Sequence, residues 1–402
     1  MKPHYDITVI GAGPAGLACA ISLSGKGYKI AVFERDHHPG AKVCGDAISP
    51  DALGQLKKIH PGLYDAVLDS AGKHPCEGLR LFSPSGKNLD LYFGDEGKST
   101  FGFTLPRSIF DNILFRFADS CPDIEIFSNT SIQRCVPVNN NIILESGDMS
   151  FSAAFVVGAD GANSILHPLL KSKRNNSLVS MGIRTYAENV SVSGPGNLIE
   201  LHYLKEIVPG YFWIFPLNNN RFNVGMGIPA QLIIKRRINL NKLFLSIIRD
   251  HPVISQRFSQ AGIPDNPGSS IIPMGRSVKK FSGERFLIAG DAAGLVDPLS
   301  GEGIGNALRS GRLAARHIQE AFEMKRYDAD FNMRYDENIK KALFTEFRIN
   351  RFISHLSGSP WFVEQVIRMG RINPWFRGLL KKSLMSPSSR RVFITQNAKN
   401  SK

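Results

Sequence analysis

Three groups of residues in this 402-residue chain have types and spacings suited to chemistry. The first is Gly11, Gly13 and Gly16 in "YDITVIGAGPAGLACAISL", a G-x-G-x-x-G that opens a small-residue helix, with Glu34 eighteen residues after Gly16. The second is Cys44-Gly45-Asp46 in "AKVCGDAIS" (41–49), where most chains would make a plain loop. The third is Gly290-Asp291 followed by the glycine-rich "SGEGIGNAL". In the first group each glycine has a reason: one permits the turn, one lets a pyrophosphate approach the backbone, and one lets the helix pack on the sheet. The helix start at Ala15 offers free N–H groups and a positive dipole end to phosphates. Glu34, beside Arg35, stands where an acid can hydrogen-bond ribose hydroxyls. A glycine-rich turn in an ordinary βαβ unit would not need that acid.

The elements that must position these groups are legible. Ile7, Val9 and Ile10 form a buried-strand run before the first glycine, and a second strand ends at Glu34. "RFLIAGDAAGLVDPLSGEGIGNALRSGRLAA" (285–315) reads as a strand Phe286–Ala289, the Gly290-Asp291 loop, and a helix that starts near Gly303 and Ile304. Three glycines at that start let backbone lie close to a flat ring, and the helix dipole there favours negative charge on it.

This arrangement resembles FAD-dependent enzymes of the p-hydroxybenzoate hydroxylase type, whose Gly-Asp motif holds the ribityl chain of FAD. The family's middle motif is matched by "VVGADGANS" (156–164), and its FAD-contacting arginine by Arg107 in "LPRSIFDNIL". The resemblance implies FAD contacts from Gly11, Gly13, Ala15, Gly16, Glu34, Arg35, Cys44, Gly45, Ala47, Arg107, Val136, Asp291, Gly303 and Ile304. Within this class the chain resembles the geranylgeranyl reductases, which carry a Cys-Gly segment where Cys44, Gly45, Asp46 and Ala47 stand. "PGYFWIFPLNNNRFNVGMG" (209–227) reproduces that family's Y-x-W-x-F-P and G-x-G through Tyr211, Trp213, Phe215, Pro216, Gly225 and Gly227. The resemblance implies reduction of carbon–carbon double bonds in an isoprenoid or other long apolar molecule. Cys44, Tyr211 and Trp213 are then the catalytic candidates, at an apolar chamber beside the flavin. From the residues alone, Cys44 can equally be a small buried hydrophobe, and Tyr211 and Trp213 can equally be core.

Two other readings share the FAD motifs: a monooxygenase or halogenase on an apolar or aromatic substrate, and a non-enzymatic FAD scaffold. Tyr211 stands where a halogenase would have the first tryptophan of its Trp-x-Trp element. Only one dinucleotide fingerprint is present, so the electron donor is expected to be transiently bound NAD(P)H or a ferredoxin.

The expected fold class is α/β: an FAD-binding Rossmann-like domain (1–75, 101–170 and 270–325) with an inserted antiparallel-sheet substrate domain (76–100 and 171–269). Strand runs such as "GLRLFS" and "YFWIFPL" alternate as a one-sided sheet should. A C-terminal helical basic segment (326–402) follows, broken at Gly358-Ser-Pro360, Asn373-Pro374 and Ser386-Pro387. From Lys340 to Lys402 there are 13 Lys/Arg against 2 Asp/Glu, so +11 of the net charge of +14 lies there. Aromatic and leucine residues beside these cations suit a helix in the headgroup layer of an anionic membrane, or a helical cap with a solvated basic face. Nothing resembles a nucleic-acid recognition module. Five cysteines without a C-x-x-C pair argue against a disulfide framework or metal site. No apolar run nears the ~18–20 residues of a membrane span and no signal-peptide core is visible. The expected location is the cytoplasm, with contact at the inner face of the membrane.

Overall fold

A computed structural model describes residues 2–37, 42–93, 102–172, 174–194, 197–263 and 267–384. The first sheet is built on five parallel strands, in the order Phe286–Ile288, Met149–Gly158, His4–Ile10, Ile30–Phe33 and Ile124–Phe127. The strands Ile30–Phe33 and Phe286–Ile288 are wholly buried and His4–Ile10 mostly so, which is why they read as nearly unbroken apolar runs. A hairpin, Arg134–Val138 and Asn141–Ser146, extends from the Met149–Gly158 strand. The helices Pro14–Leu23 and Ile304–Glu323 pack closely, with Gly311 against the Ala15 backbone.

The second sheet has seven strands, in the order Gly268–Pro273, Val179–Glu188, Arg221–Pro229, Tyr211–Pro216, Leu198–His202, Gly78–Phe82 and Asn88–Tyr92. Two expectations are corrected here. The sheet is not wholly antiparallel, because Leu198–His202 runs parallel to Gly78–Phe82. Nor is it one-sided. Strand alternation sends Phe212 and Ile214 into a core with Phe244 and Ile247 of the helix Leu240–Asp250, and Trp213 and Phe215 into another with Val363 and Ile367 of the helix Pro360–Ile372. The strand Gly268–Pro273 belongs to this sheet, so the chain returns to the first sheet after Pro273 rather than at 270. A small third sheet, Ala47–Ile48, Phe103–Thr104 and His74–Pro75, ties the cysteine segment to the junction.

The tail is built into both units. Phe331, Tyr335 and Ile339 of the helix Ala329–Ile339 are buried in the first core together with Leu343 and Phe347. The helix Pro360–Ile372 covers the second sheet, and Pro374–Leu384 follows it after the Asn373 break. Ser386-Pro387 lies outside the described residues.

Candidate active site

In parallel sheets, ligands sit beyond the carboxyl ends of the strands. Here three neighbouring strands lead directly into Gly11, Asp160-Gly161 and Gly290-Asp291. These loops touch. A Cβ on Gly11, whose φ is +101°, would lie 2.5 Å from the Ala159 carbonyl oxygen. A Cβ on Gly290 would lie 2.8 Å from that of Ala15. By contrast, a Cβ on Gly13 would meet nothing within 4 Å, and the helix that starts there has no side-chain cap. An uncapped helix start at Gly13, facing open space, is what a pyrophosphate requires. Glu34 is pinned beside it: its carboxylate accepts the Ala12 N–H at 2.8 Å and the Asp36 N–H at 3.1 Å. The residues therefore fit FAD: the glycine loop is open to a diphosphate, and Glu34 is fixed beside it.

The other cofactor candidates are spread more widely. Arg35 turns to solvent and pairs with Asp36 at 3.3 Å. Val136 is half-buried on its hairpin strand opposite Ile143. Gly303 caps the Ile304–Glu323 helix near Asp291, and Ile304 is buried behind it. The Asp291 carboxylate accepts a hydrogen bond from the Lys42 ammonium at 2.8 Å, so the cysteine segment begins at the Gly-Asp loop. Ala47 ends that segment, paired with Thr104.

Between these ends the segment is held from all sides. The Asn223 side-chain amide donates to the Cys44 carbonyl at 2.7 Å and to the Asp46 carboxylate at 2.8 Å. Its own oxygen accepts the Trp213 indole N–H at 2.8 Å. Asp46 is fully buried with φ +66° and also accepts from the Tyr186 hydroxyl at 2.9 Å and the Arg107 N–H at 3.1 Å. Burial pushes the Asp46 carboxyl above its ordinary pKa, opposed by Asn223, Arg184, Tyr186 and Arg107. Arg107, at the first position of the helix Arg107–Asp119, forms a buried bidentate pair with Asp111 at 2.9 and 2.7 Å. Its guanidinium also engages the Cys44 side chain; burial would lower its pKa, but Asp111 and Cys44 hold it above the ordinary value. Gly45 packs flat on the Phe215 ring, where a Cβ would lie 2.5 Å from Cε2.

Tyr211 is half-buried and donates to the Ser300 carbonyl; burial first, then Tyr203, Asp297 and Cys44, raise its pKa. Tyr211 is thus tied to the Ser300–Gly303 loop, with Cys44 among the groups whose charge it feels. Trp213 is 7% exposed and packed in the core, with Gly225 leaving room for its ring. The loop contributes one further titratable group. Glu302 accepts a hydrogen bond from the Ser49 hydroxyl, and burial, with Asp51, Asp297 and Glu346 nearby, raises its carboxyl to about 7.

The sequence reading missed Asn223, Tyr186 and Glu302. A signal for Asn223 was present: Phe222, Val224 and Met226 share one apolar face, leaving Asn223 as a polar residue in mid-strand on the opposite face, next to Gly225 and Gly227.

Comparison with known proteins gives the family and the fold. Residues 4–329 match the FAD binding domain family, and the chain belongs to it. A menaquinone reductase of Mycolicibacterium smegmatis is 28% identical over 323 residues, 78% of this chain and 76% of that protein. A digeranylgeranylglycerophospholipid reductase of Methanococcus vannielii is 29% identical over 349 residues, 85% of this chain and 83% of that protein. The crystal structure of a geranylgeranyl bacteriochlorophyll reductase-like protein from Thermoplasma acidophilum superposes with a TM-score of 0.80 at 21% identity, covering 98% of this chain and 96% of that one. The expected fold and the resemblance to geranylgeranyl reductases are both borne out. The protein is an FAD-dependent oxidoreductase.

Proposed function

We propose that this protein reduces carbon–carbon double bonds in the isoprenoid chain of a lipid or quinone. The observation that carries the reading is the suspension of Cys44 between the cofactor loops and the aromatic strand, with Asn223 on its carbonyl and Arg107 at its side chain. FAD held by these residues would, when reduced, supply hydride chemistry for one alkene carbon, and the chain would have to supply a proton to the other. An isolated alkene is a poor acceptor, so the chain must hold it close and exclude water. Tyr211, backed by Trp213 and Tyr203, gives an aromatic wall for an apolar chain. In this reading Cys44, engaged by Arg107, is the residue placed to supply that proton. Gly11, Gly13, Ala15, Gly16, Glu34, Asp291 and Gly303 hold the cofactor in this reading. The relatives' names, a menaquinone reductase and a digeranylgeranylglycerophospholipid reductase, support a polyprenyl chain as the common feature. Electrons would enter from transiently bound NAD(P)H or a ferredoxin.

The substrate's apolarity gives a reason for the exposed stripe on the last helices. Trp361, Ile372 and Trp375 are each more than 70% exposed, among Arg368, Arg371 and Lys382. Among the described residues no helix is long and apolar enough to cross a membrane. The stripe would instead lie in the headgroup layer and bring the site to its substrate.

The test is anaerobic. Enzyme reduced by dithionite is mixed with menaquinone or with a geranylgeranylated glycerophospholipid, and products are read by mass spectrometry. The reading expects a gain of two hydrogens per bond and a loss of that gain in Cys44→Ala with FAD retained. Reoxidation only after oxygen is admitted to the mixture, with an oxygenated product, would replace it with a monooxygenase.

A further inference from the structure

The cysteine segment is anchored by Asn223, Tyr186 and Arg107, all distant from it in sequence. Asn223 is 179 residues from Cys44. Its amide has every polar atom used: oxygen to Trp213, nitrogen to both Cys44 and Asp46. Asp46 in turn takes four restraints. Its carboxylate accepts from Asn223, Tyr186 and the Arg107 N–H, and its carbonyl accepts the Leu105 N–H at 2.8 Å. A non-glycine residue in the left-handed region persists only where its surroundings over-determine it, and here they do. The consequence is a turn at Asp46 that sets the direction of the two residues before it.

We infer that Asn223 and Asp46 are positioning residues, which fix the Cys44 side chain in one place relative to Arg107 and the aromatic strand. This rests on the reading of Cys44 as the working residue of the site, and it adds a physical link between strand and cysteine. Trp213 and Cys44 share the Asn223 amide, so a displacement of the aromatic strand reaches the cysteine through this side chain as well as through the Gly45–Phe215 contact. Leucine at 223 would remove all three hydrogen bonds at similar volume, leaving Asp46 short of a donor and the turn free to relax.

The test is alkylation of the folded protein by iodoacetamide, followed by peptide mass spectrometry to assign each cysteine. Cys121, half-buried and bonded to the Phe117 carbonyl, serves as an internal reference. In Asn223→Leu and Asp46→Asn, Cys44 should label about tenfold faster or more than in the wild type, the scale of losing a hydrogen bond to a charged group, with Cys121 unchanged. Trp213→Phe removes one bond to Asn223 but keeps its hold on Cys44, so its Cys44 rate should stay near wild type. Wild-type rates at Cys44 in both Asn223→Leu and Asp46→Asn would overturn the inference. If Asn223→Leu also exposes the buried Cys19, Cys76 and Cys135, the chain has opened globally. The decision then rests on Tyr186→Phe, which deletes one donor to Asp46 at the same volume: faster Cys44 labelling supports the inference and an unchanged rate overturns it. No substrate is present in this measurement. A failed reductase assay would therefore sink the proposed reaction while leaving the positioning result to stand or fall separately.

Discussion

Gly45→Ala should disable the protein in a way whose size follows from two distances. The new methyl carbon would lie 2.5 Å from Phe215 Cε2 and 3.1 Å from Cδ2, whereas ordinary contact begins at 3.4 Å. Either the ring or the segment must therefore give by about 1 Å. The ring has little room: Phe215 is 9% exposed and lies beside Trp213, with centroids 6.1 Å apart. Overpacking of this kind costs about 1–3 kcal/mol, which a thermal melt would register as a lowered transition. If the segment moves instead, Cys44 moves with it, and a 1 Å misplacement at a reacting centre costs on the order of 100-fold in turnover. Both losses should shrink in Gly45→Ala combined with Phe215→Leu, because a smaller and more adaptable side chain vacates the space. The assay pairs melting temperature with turnover on the polyprenyl substrate. Wild-type values for both in Gly45→Ala, or no recovery in the double variant, would refute the packing argument.

Three further outcomes are expected. Gly13→Val fills the open space before the first helix, so the purified variant should lack flavin absorbance; a yellow protein would count against the phosphate cradle. Glu302 is raised from 4.5 to about 7 in the folded chain; the stability it contributes is whole below pH 4.5 and is lost as pH rises through 7. Glu302→Gln should therefore melt higher relative to wild type at pH 8 than at pH 5, by an amount on the order of 1–3 kcal/mol, and parallel melting profiles would argue against it. Trp361→Ser with Trp375→Ser should reduce salt-sensitive binding to anionic vesicles without changing turnover on detergent-dispersed substrate. Equal sedimentation of both proteins with vesicles would remove the membrane proposal. These point variants are preferable to truncation at Gly358, which would strip Val363 and Ile367 from the second core.

The local grammar of the chain was enough to determine the strand, the glycine turn and the helix at Gly11–Gly16, the acid at Glu34, and the helix start at Gly303. Each depends on backbone conformations and spacings that a few neighbouring residues dictate. The order of the motifs also implied that the loops at Gly11 and Asp291 belong to one ligand. Only the tertiary structure decided what surrounds Cys44. Asn223 opposes Phe215 in register, and the register of two strands depends on the whole sheet rather than on either strand. The alternation in "YFWIFP" shows that its two faces differ, but not that both are covered, because the covering helices Leu240–Asp250 and Pro360–Ile372 come later in the chain. The basic tail likewise gave the charge of its helices but not their partners. Phe331 and Tyr335 are in the first core because a long-range packing surface was there to receive them, and contacts of that range have no signature within a short window of sequence.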